Sequence, residues 1–243
     1  MLRLVSCVLG GMLSAVPALG ERSWFSYEGN DLPENVGWTR VWGNNDGPYQ
    51  GSGANRQISD GALVTDSLYD TGVYDYNQLQ RPGSFRPGPG EVFRAEWRLR
   101  VTESHNWSDQ SFLVAGDNGS AVALGFFVDR VQLEYEHDAD VPFEPLVWHR
   151  FAITSADMVT YELWIDGTAV HSGQLLTYST QSSVVGFGDG VQGASSLASW
   201  DYVRFGVVPE PAGVRGVACA LSFVVARVWR RIRPGGILRK ECP

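Results

Sequence analysis

The sequence predicts an all-β domain of two antiparallel sheets stacked as a sandwich, between an N-terminal signal helix and a short apolar C-terminal helix. Three observations lead there. Short alternating runs recur along the chain, separated by Gly, Asp, Asn and Pro. Each run puts apolar residues on one face and polar ones on the other, whereas a parallel sheet covered on both sides would read as continuous apolar stretches. Between the end segments lie about 185 residues, enough for one domain that buries roughly 70% of its unfolded surface.

Taken in order, Met1 to Gly20 carries Arg3, an apolar run and Ala18-Leu19-Gly20. Small residues at Ala18 and Gly20 suit a signal-peptidase pocket, so residues 1–20 are expected to be removed before Glu21. Cys7 lies inside the apolar run, which does not fit a lipoprotein anchor. Gly43 to Gln57 reads as a polar, glycine-rich loop. Asp60 to Ser67 and Gly72 to Gln78 read as strands, and "RPGSFRPGPG" (Arg81 to Gly90) as a proline-broken connection. In "FRAEWRLRV", Phe93, Ala95, Trp97, Leu99 and Val101 share one face, and Arg94, Glu96, Arg98 and Arg100 the other. Val122 to Asp129 and Arg130 to His137 are two strands joined tightly, with Val131, Leu133 and Tyr135 on one face. Trp148 to Thr154 and Thr160 to Gly167 form the next pair, and Asp166-Gly167 is a tight-turn dipeptide leading into "TAVHSG". "SVVGFGDG" and "DYVRFGVV" close a sandwich assigned to residues 21–207.

Composition narrows the function. The chain has 243 residues and a net charge of −8. Between Glu21 and Val208 there are 25 acids, 11 arginines and no lysine, a net of −14. Such a surface repels phosphate backbones, so a nucleic-acid partner is not expected. Cys7, Cys219 and Cys242 all lie in the end segments. The domain therefore holds no disulfide, no cysteine-based zinc site and no cysteine nucleophile.

The order of elements resembles a family. "WHRFAITSADMVTYELWIDGTAVHSG" (Trp148 to Gly173) resembles the central hairpin of concanavalin A-like and laminin-G-like jelly rolls, and "SWDYVRFG" (Ser199 to Gly206) resembles their last strand. The likeness spans Trp24 to Gly206 and implies a fold that hosts lectins, adhesion modules, hydrolases and lyases.

A second resemblance covers the end of the chain. Val208-Pro209-Glu210-Pro211, an apolar stretch, and Arg227, Arg230, Arg231 and Arg233 are similar to the PEP-CTERM sorting tail of bacterial exported proteins. It implies recognition by an exosortase-type membrane protease and delivery to the cell surface, envelope or extracellular matrix. The segment 208–233 is assigned to sorting and 234–243 to a short tail. Gly216 to Ala226 supplies eleven apolar residues where a spanning helix needs roughly 20, which fits transient membrane association. Arg215 interrupts the apolar stretch, and ten residues follow the basic cluster.

Four constellations could carry chemistry. Glu134 and Glu136 share a strand face, about 6.5–7 Å apart at the backbone, and their carboxyls could flank a glycosidic bond. Single-strand glycosidases of the family show Glu-x-Asp-x-Glu or Glu-x-Asp-x-x-Glu, whereas here the second acid is Glu136 and the third Asp138; a solvated strand face is the competing reading. Arg94-Ala95-Glu96-Trp97-Arg98 resembles the Arg-x-Glu-x-Arg strand of alginate lyases, without their Gln-x-His companion. Alternatively, that strand's charges pair across one sheet with Gln132, Glu134 and Glu136. Asp117, Asn118 and Asp189 are hard oxygen donors for calcium if their loops converge, and otherwise simply turn residues. Trp24, Trp38, Trp42, Tyr49 and Trp107 lie in or beside loops where a ring could stack on a pyranose; Trp97, Trp148 and Trp164 are assigned to the sandwich itself. His149 and His171 are isolated and read as structural.

The expectation is a secreted or surface-anchored jelly-roll module that binds carbohydrate or serves structurally in a bacterial matrix. The alternative is a divergent glycan-degrading enzyme, a hydrolase or lyase of the same fold, using Glu134 and Glu136.

Overall fold

The alternation around Trp97 builds the molecule's spine. In the computed structural model, Phe93, Ala95, Trp97, Leu99 and Val101 all point inward and are buried. The structure describes residues 24–43, 55–68, 74–81, 85–105, 110–116, 119–133, 140–177, 183–189 and 195–210. The expected signal and C-terminal helices lie outside them. Among the described residues no helix is long and apolar enough to cross a membrane.

In chain order the strands are β1 (Phe25–Tyr27), β2 (Thr39–Gly43), β3 (Asn55–Ser59), β4 (Ala62–Asp66), β5 (Tyr74–Arg81), β6 (Glu91–His105), β7 (Gln110–Ala115) and β8 (Ser120–Phe126). There follow β9 (Arg130–Leu133), β10 (Asp140–Pro142), β11 (His149–Ser155), β12 (Thr160–Ile165), β13 (Thr168–Gln174), β14 (Leu176–Thr177), β15 (Ser183–Asp189) and β16 (Ser195–Pro209). A 3₁₀ turn, Pro33–Val36, sits between β1 and β2. The first sheet runs β13-β12-β11-β6-β16-β4-β3, with β1 also on β16. The second runs β10-β9-β8-β7-β15-β5-β2, with β14 also on β8. Every pairing is antiparallel, as the half-polar alternation requires.

Aromatic rings fill the gap between the sheets. The Trp97 ring stacks on Phe112 of the opposite sheet, centroids 3.8 Å apart, and on Phe151 at 5.8 Å. Phe126 meets Trp97, Phe151 and Trp200 edge-on. Each such ring contributes roughly 1.5–3 kcal/mol by leaving water. One fully buried amide stitches the sheets together. Gln110 on β7 accepts from Thr65 Oγ1 at 3.3 Å and Trp200 Nε1 at 3.0 Å, and donates to Ser196 Oγ at 2.6 Å.

Asp166-Gly167 closes the β12–β13 hairpin with φ of 50° and 81°, as its sequence predicts. Asp60-Gly61 does the same between β3 and β4, with φ of 53° and 74°. Three expectations need correction. Asn55 to Gln57 belongs to edge strand β3 and not to a loop: Asn55 and Gln57 stay exposed while the Arg56 side chain turns inward. The last strand runs through Pro209, and the Glu210 N–H bonds the Gly90 carbonyl, so Val208 and Pro209 are part of the sandwich. Finally, β6 and β9 lie in different sheets, so the Arg94/Glu96/Arg98 face cannot pair with Gln132 and its neighbours across one sheet.

Candidate functional site

The outer face of the first sheet carries five of the domain's eleven arginines: Arg94, Arg98, Arg100, Arg150 and Arg204. Strand parity sends Arg94, Glu96 and Arg98 of β6 outward, and register sets their neighbours. Arg94 lies opposite Thr154 and Gly206, Glu96 opposite Ala152 and Arg204, and Arg98 opposite Arg150 and Tyr202. On β12, Trp164 lies opposite Ala152 and Glu162 opposite Thr154. Small residues, Ala152 and Gly206, thus alternate with long ones. The resulting dip is a groove of about 950 Å³ lined by Arg94, Arg150, Thr154, Glu162, Trp164 and Val208, among others. Ala152 is only 4% exposed at its floor.

Trp164 lines this groove and is tied to β11. Its indole N–H donates to Thr154 Oγ1 at 3.1 Å, and the ring is half-buried. It therefore belongs to the outer face and not to the packed interior. Trp148 is also half-buried, with the guanidinium carbons of Arg98 and Arg100 at 4.9 and 5.0 Å from its ring centroid.

The arginines converge on one carboxylate. Arg94 donates from Nε and Nη2 to Glu96 Oε2 at 3.2 and 2.9 Å, and Arg150 Nη2 donates to the same oxygen at 2.9 Å. Arg204 Nη1 stands 3.9 Å from Oε1. Glu96 is 7% exposed. Burial pushes its carboxyl up, but the hydrogen bonds and charges of Arg150 and Arg94 outweigh it and hold the group below the usual carboxylate range. The remaining arginine donors face other acids: Arg98 bonds Asp201 at 2.8 Å, and Arg204 forks onto Glu28 at 3.0 and 2.6 Å. A lyase needs its arginines turned to the acidic sugar. Here Arg94 faces Glu96 and Arg98 faces Asp201, so the Arg-x-Glu-x-Arg strand carries internal ion pairs.

A second polar cluster lies between the sheets beside β2, β3 and β5. Arg40 forks onto both oxygens of buried Asp75, and Arg56 donates to Asn77 Oδ1 at 2.7 Å and Glu34 Oε1 at 2.6 Å. Asp75 and Asn77 face inward although they alternate with tyrosines in sequence. The only sequence signal for this was the presence of arginines on both neighbouring edge strands.

Of the candidate metal ligands, Asp189 alone lies among the described residues. Asp189 is fully buried at the far end of β15, opposite Asp75. Ala115, at the end of β7, pairs with Val184 at the opposite end of β15. Five strand residues, about 17 Å, separate that end from Asp189. Asp117 and Asn118 themselves lie outside the described residues. Among the described residues no three metal-ligating side chains cluster.

Of the candidate stacking rings, Trp38 is 4% exposed and packs edge-on against Tyr27, Phe187 and Phe205. It follows the 3₁₀ turn, which folds it into the core, so it is not a surface platform. Trp24 is partly exposed at the start of β1. The backbone of Trp42 is in β2, opposite Asp75. Tyr49, Trp107, Glu134 and Glu136 lie outside the described residues, as do Pro211, Arg227, Arg230, Arg231 and Arg233. His149 is structural: its ring bonds the Asp166 carboxylate at 2.6 Å and the Glu144 carbonyl at 2.7 Å.

No family model matches the sequence, and no curated protein matches it. Solved structures do share its fold. A carbohydrate esterase from the Shiga toxin-encoding bacteriophage phi24B aligns over 76% of this chain and 97% of its own, at 14% identity and a TM-score of 0.50. A GlcNAcα1-4Gal-releasing endo-β-galactosidase from Clostridium perfringens aligns over 76% of this chain and 63% of its own, at 12% identity and 0.50. Peanut lectin aligns over 79% and 100%, at 9% identity and 0.50. What these likenesses show is the architecture: a lectin-type, concanavalin A-like jelly roll.

Proposed function

We propose that this chain is an exported carbohydrate-binding module, and that the groove beside Trp164 is where it takes a glycan. The observation that carries the reading is the groove itself. It sets a hydrogen-bonded indole beside Thr154, Glu162 and Arg150, an aromatic platform ringed by polar groups. Pyranose rings are recognised in this way, by stacking on the apolar face and hydrogen bonding at the edges. The names of the structural neighbours, a lectin and two enzymes of carbohydrate chemistry, favour the same ligand class.

Export and retention complete the proposal. The N-terminal apolar run would direct secretion, and the Pro-Glu-Pro tail would hand the protein to an exosortase-type protease at a bacterial envelope. A soluble-polysaccharide binding screen tests the ligand half, with turnover of the same polymers followed in parallel. Binding that weakens at least tenfold in Trp164→Ala supports the groove; a folded wild-type protein that binds no glycan overturns it. A reporter carrying residues 208–243 tests the other half. Envelope retention that survives replacement of Pro209 to Pro211 would remove the sorting role.

A further inference from the structure

We propose that Glu96 is a specificity residue: it occupies the guanidinium groups of the groove from within, so that the site takes uncharged saccharides and turns away uronate or sulfate polymers. This rests on the groove being a glycan site.

A carboxylate met by the edges of several guanidiniums is how proteins capture an acidic ligand. The face has that arrangement, but the acid is its own. Arg94 and Arg150 line the groove, and both donate to Glu96 Oε2 beneath them. The charges nearby are also matched. Arg98 faces Asp201 and Arg204 faces Glu28, while Glu162 adds a negative charge on the groove wall. Four arginines therefore meet three carboxylates, and Glu162 and Glu210 also line the groove, on a domain whose overall charge is strongly negative. A polyanion approaching this face gains no net attraction and meets long-range repulsion. An uncharged sugar avoids that repulsion and keeps the indole and the hydroxyl partners.

Replacing Glu96 by Gln keeps its shape and removes its charge. Arg94 and Arg150 then stand at the groove floor without a counter-charge. Their side chains are 32% and 53% exposed, so water supports them and the sheet is expected to hold. The vacated charge would be supplied by a uronate carboxylate or a sulfate.

The test measures binding of the full-length protein to uncharged polymers (laminarin, xyloglucan, galactomannan) and to alginate and polygalacturonate, at 50 and 500 mM NaCl. For the wild type we expect binding to at least one uncharged polymer, at least tenfold weaker binding to both polyuronates, and little dependence on salt. Glu96→Gln should gain at least tenfold in polyuronate affinity at low salt and lose that gain at high salt. Glu103→Gln removes the same charge from the same strand, away from the groove, and should gain nothing. Wild-type protein that binds polyuronates as tightly as uncharged polymers overturns the inference while leaving the glycan-binding reading intact. So does a folded Glu96→Gln, checked by circular dichroism, that gains no polyuronate affinity. A folded wild type that binds none of the polymers overturns the glycan-binding reading, and with it this inference, which rests on that reading. If the variant fails to fold, the wild-type comparison can still overturn the inference.

Discussion

Replacing Gln110 by Leu should cost about 2–5 kcal/mol of folding stability. The magnitude follows from what the amide leaves behind. Leu fills nearly the same volume, so little cavity forms. The Trp200 indole N–H and the Thr65 hydroxyl lose the shared acceptor that each uses, at 3.0 and 3.3 Å. Both residues are fully buried, so water does not replace it. A buried donor left without a partner costs about 1–3 kcal/mol. The Ser196 hydroxyl loses only a donor to it, the Gln110 amide at 2.6 Å, and the Ser196 backbone keeps its bonds to Ser67. A domain of this kind has roughly 5–15 kcal/mol in hand, so the variant stays folded. Urea unfolding followed by tryptophan fluorescence should show the midpoint falling by about 1–2 M with the slope unchanged. Adding Thr65→Val removes one orphan and should restore about 1 kcal/mol. A midpoint within about 0.2 M of wild type, or no recovery in the double variant, would show that this amide does not hold the sheets together as argued.

Other expectations follow from single features. Trp164→Ala should leave the melting temperature within a few degrees of wild type, because the ring is on the outer face, while weakening glycan binding at least tenfold; the two are read by calorimetry and affinity electrophoresis. Gly29→Ala would place a Cβ 2.3 Å from the Asp201 carbonyl oxygen at a φ of +68°. The left-handed backbone alone costs about 1–2 kcal/mol, and relieving the clash adds to it, so the melting temperature should fall by about 4–8 °C. Asp157→Ala removes the acceptor for the Val159 and Thr160 N–H groups at 2.8 and 2.9 Å in the β11–β12 turn and should cost about 1–2 kcal/mol by urea titration. The Glu96 and Asp157 carboxyls both sit below their ordinary values, Glu96 against burial by Arg150 and Arg94, Asp157 chiefly through the Thr160 N–H. The unfolded chain therefore binds more protons as acid is added. Stability should hold from pH 7 to about 4.5 and fall below it, with a shallower fall in Glu96→Gln. An equal acid fall in that variant would assign the effect elsewhere.

The strands that span the sandwich were readable because their periodicity is strict. Phe93 to Val101, Thr160 to Ile165 and Asp201 to Val208 each put large apolar residues at every second position, and the structure buries them. Asp166-Gly167 was readable because few dipeptides tolerate two positive φ angles in succession. Short or one-sided elements left no such trace. β1, β10 and β14 are two or three residues long, and β3 is an edge strand whose one inward side chain is an arginine, Arg56, and not an apolar residue. In β5 the alternation misleads, since Asp75 and Asn77 face inward and Tyr76 outward, an arrangement stabilised by Arg40 and Arg56 from other strands. The groove was visible only in pieces. Arg94, Glu96 and Arg98 were correctly placed on one face, but their partners Arg150, Asp201 and Arg204 lie far away in sequence, and only sheet order brings them together. Trp164 looked like core because its strand alternates aromatic residues on both faces, Tyr161 inward and Trp164 outward.

The run of β16 through Pro209, clasped by Gly90 at Glu210, has a mechanical meaning. There is no slack chain between the fold and the start of the Pro-Glu-Pro motif. Anything that seizes the residues beyond Glu210 pulls directly on β16 and, through its long ladder, on β6 at the centre of the body. Load entering there is shared along two fifteen-residue strands at once, and the wall of the groove, where Val208 sits, is the first part to feel it.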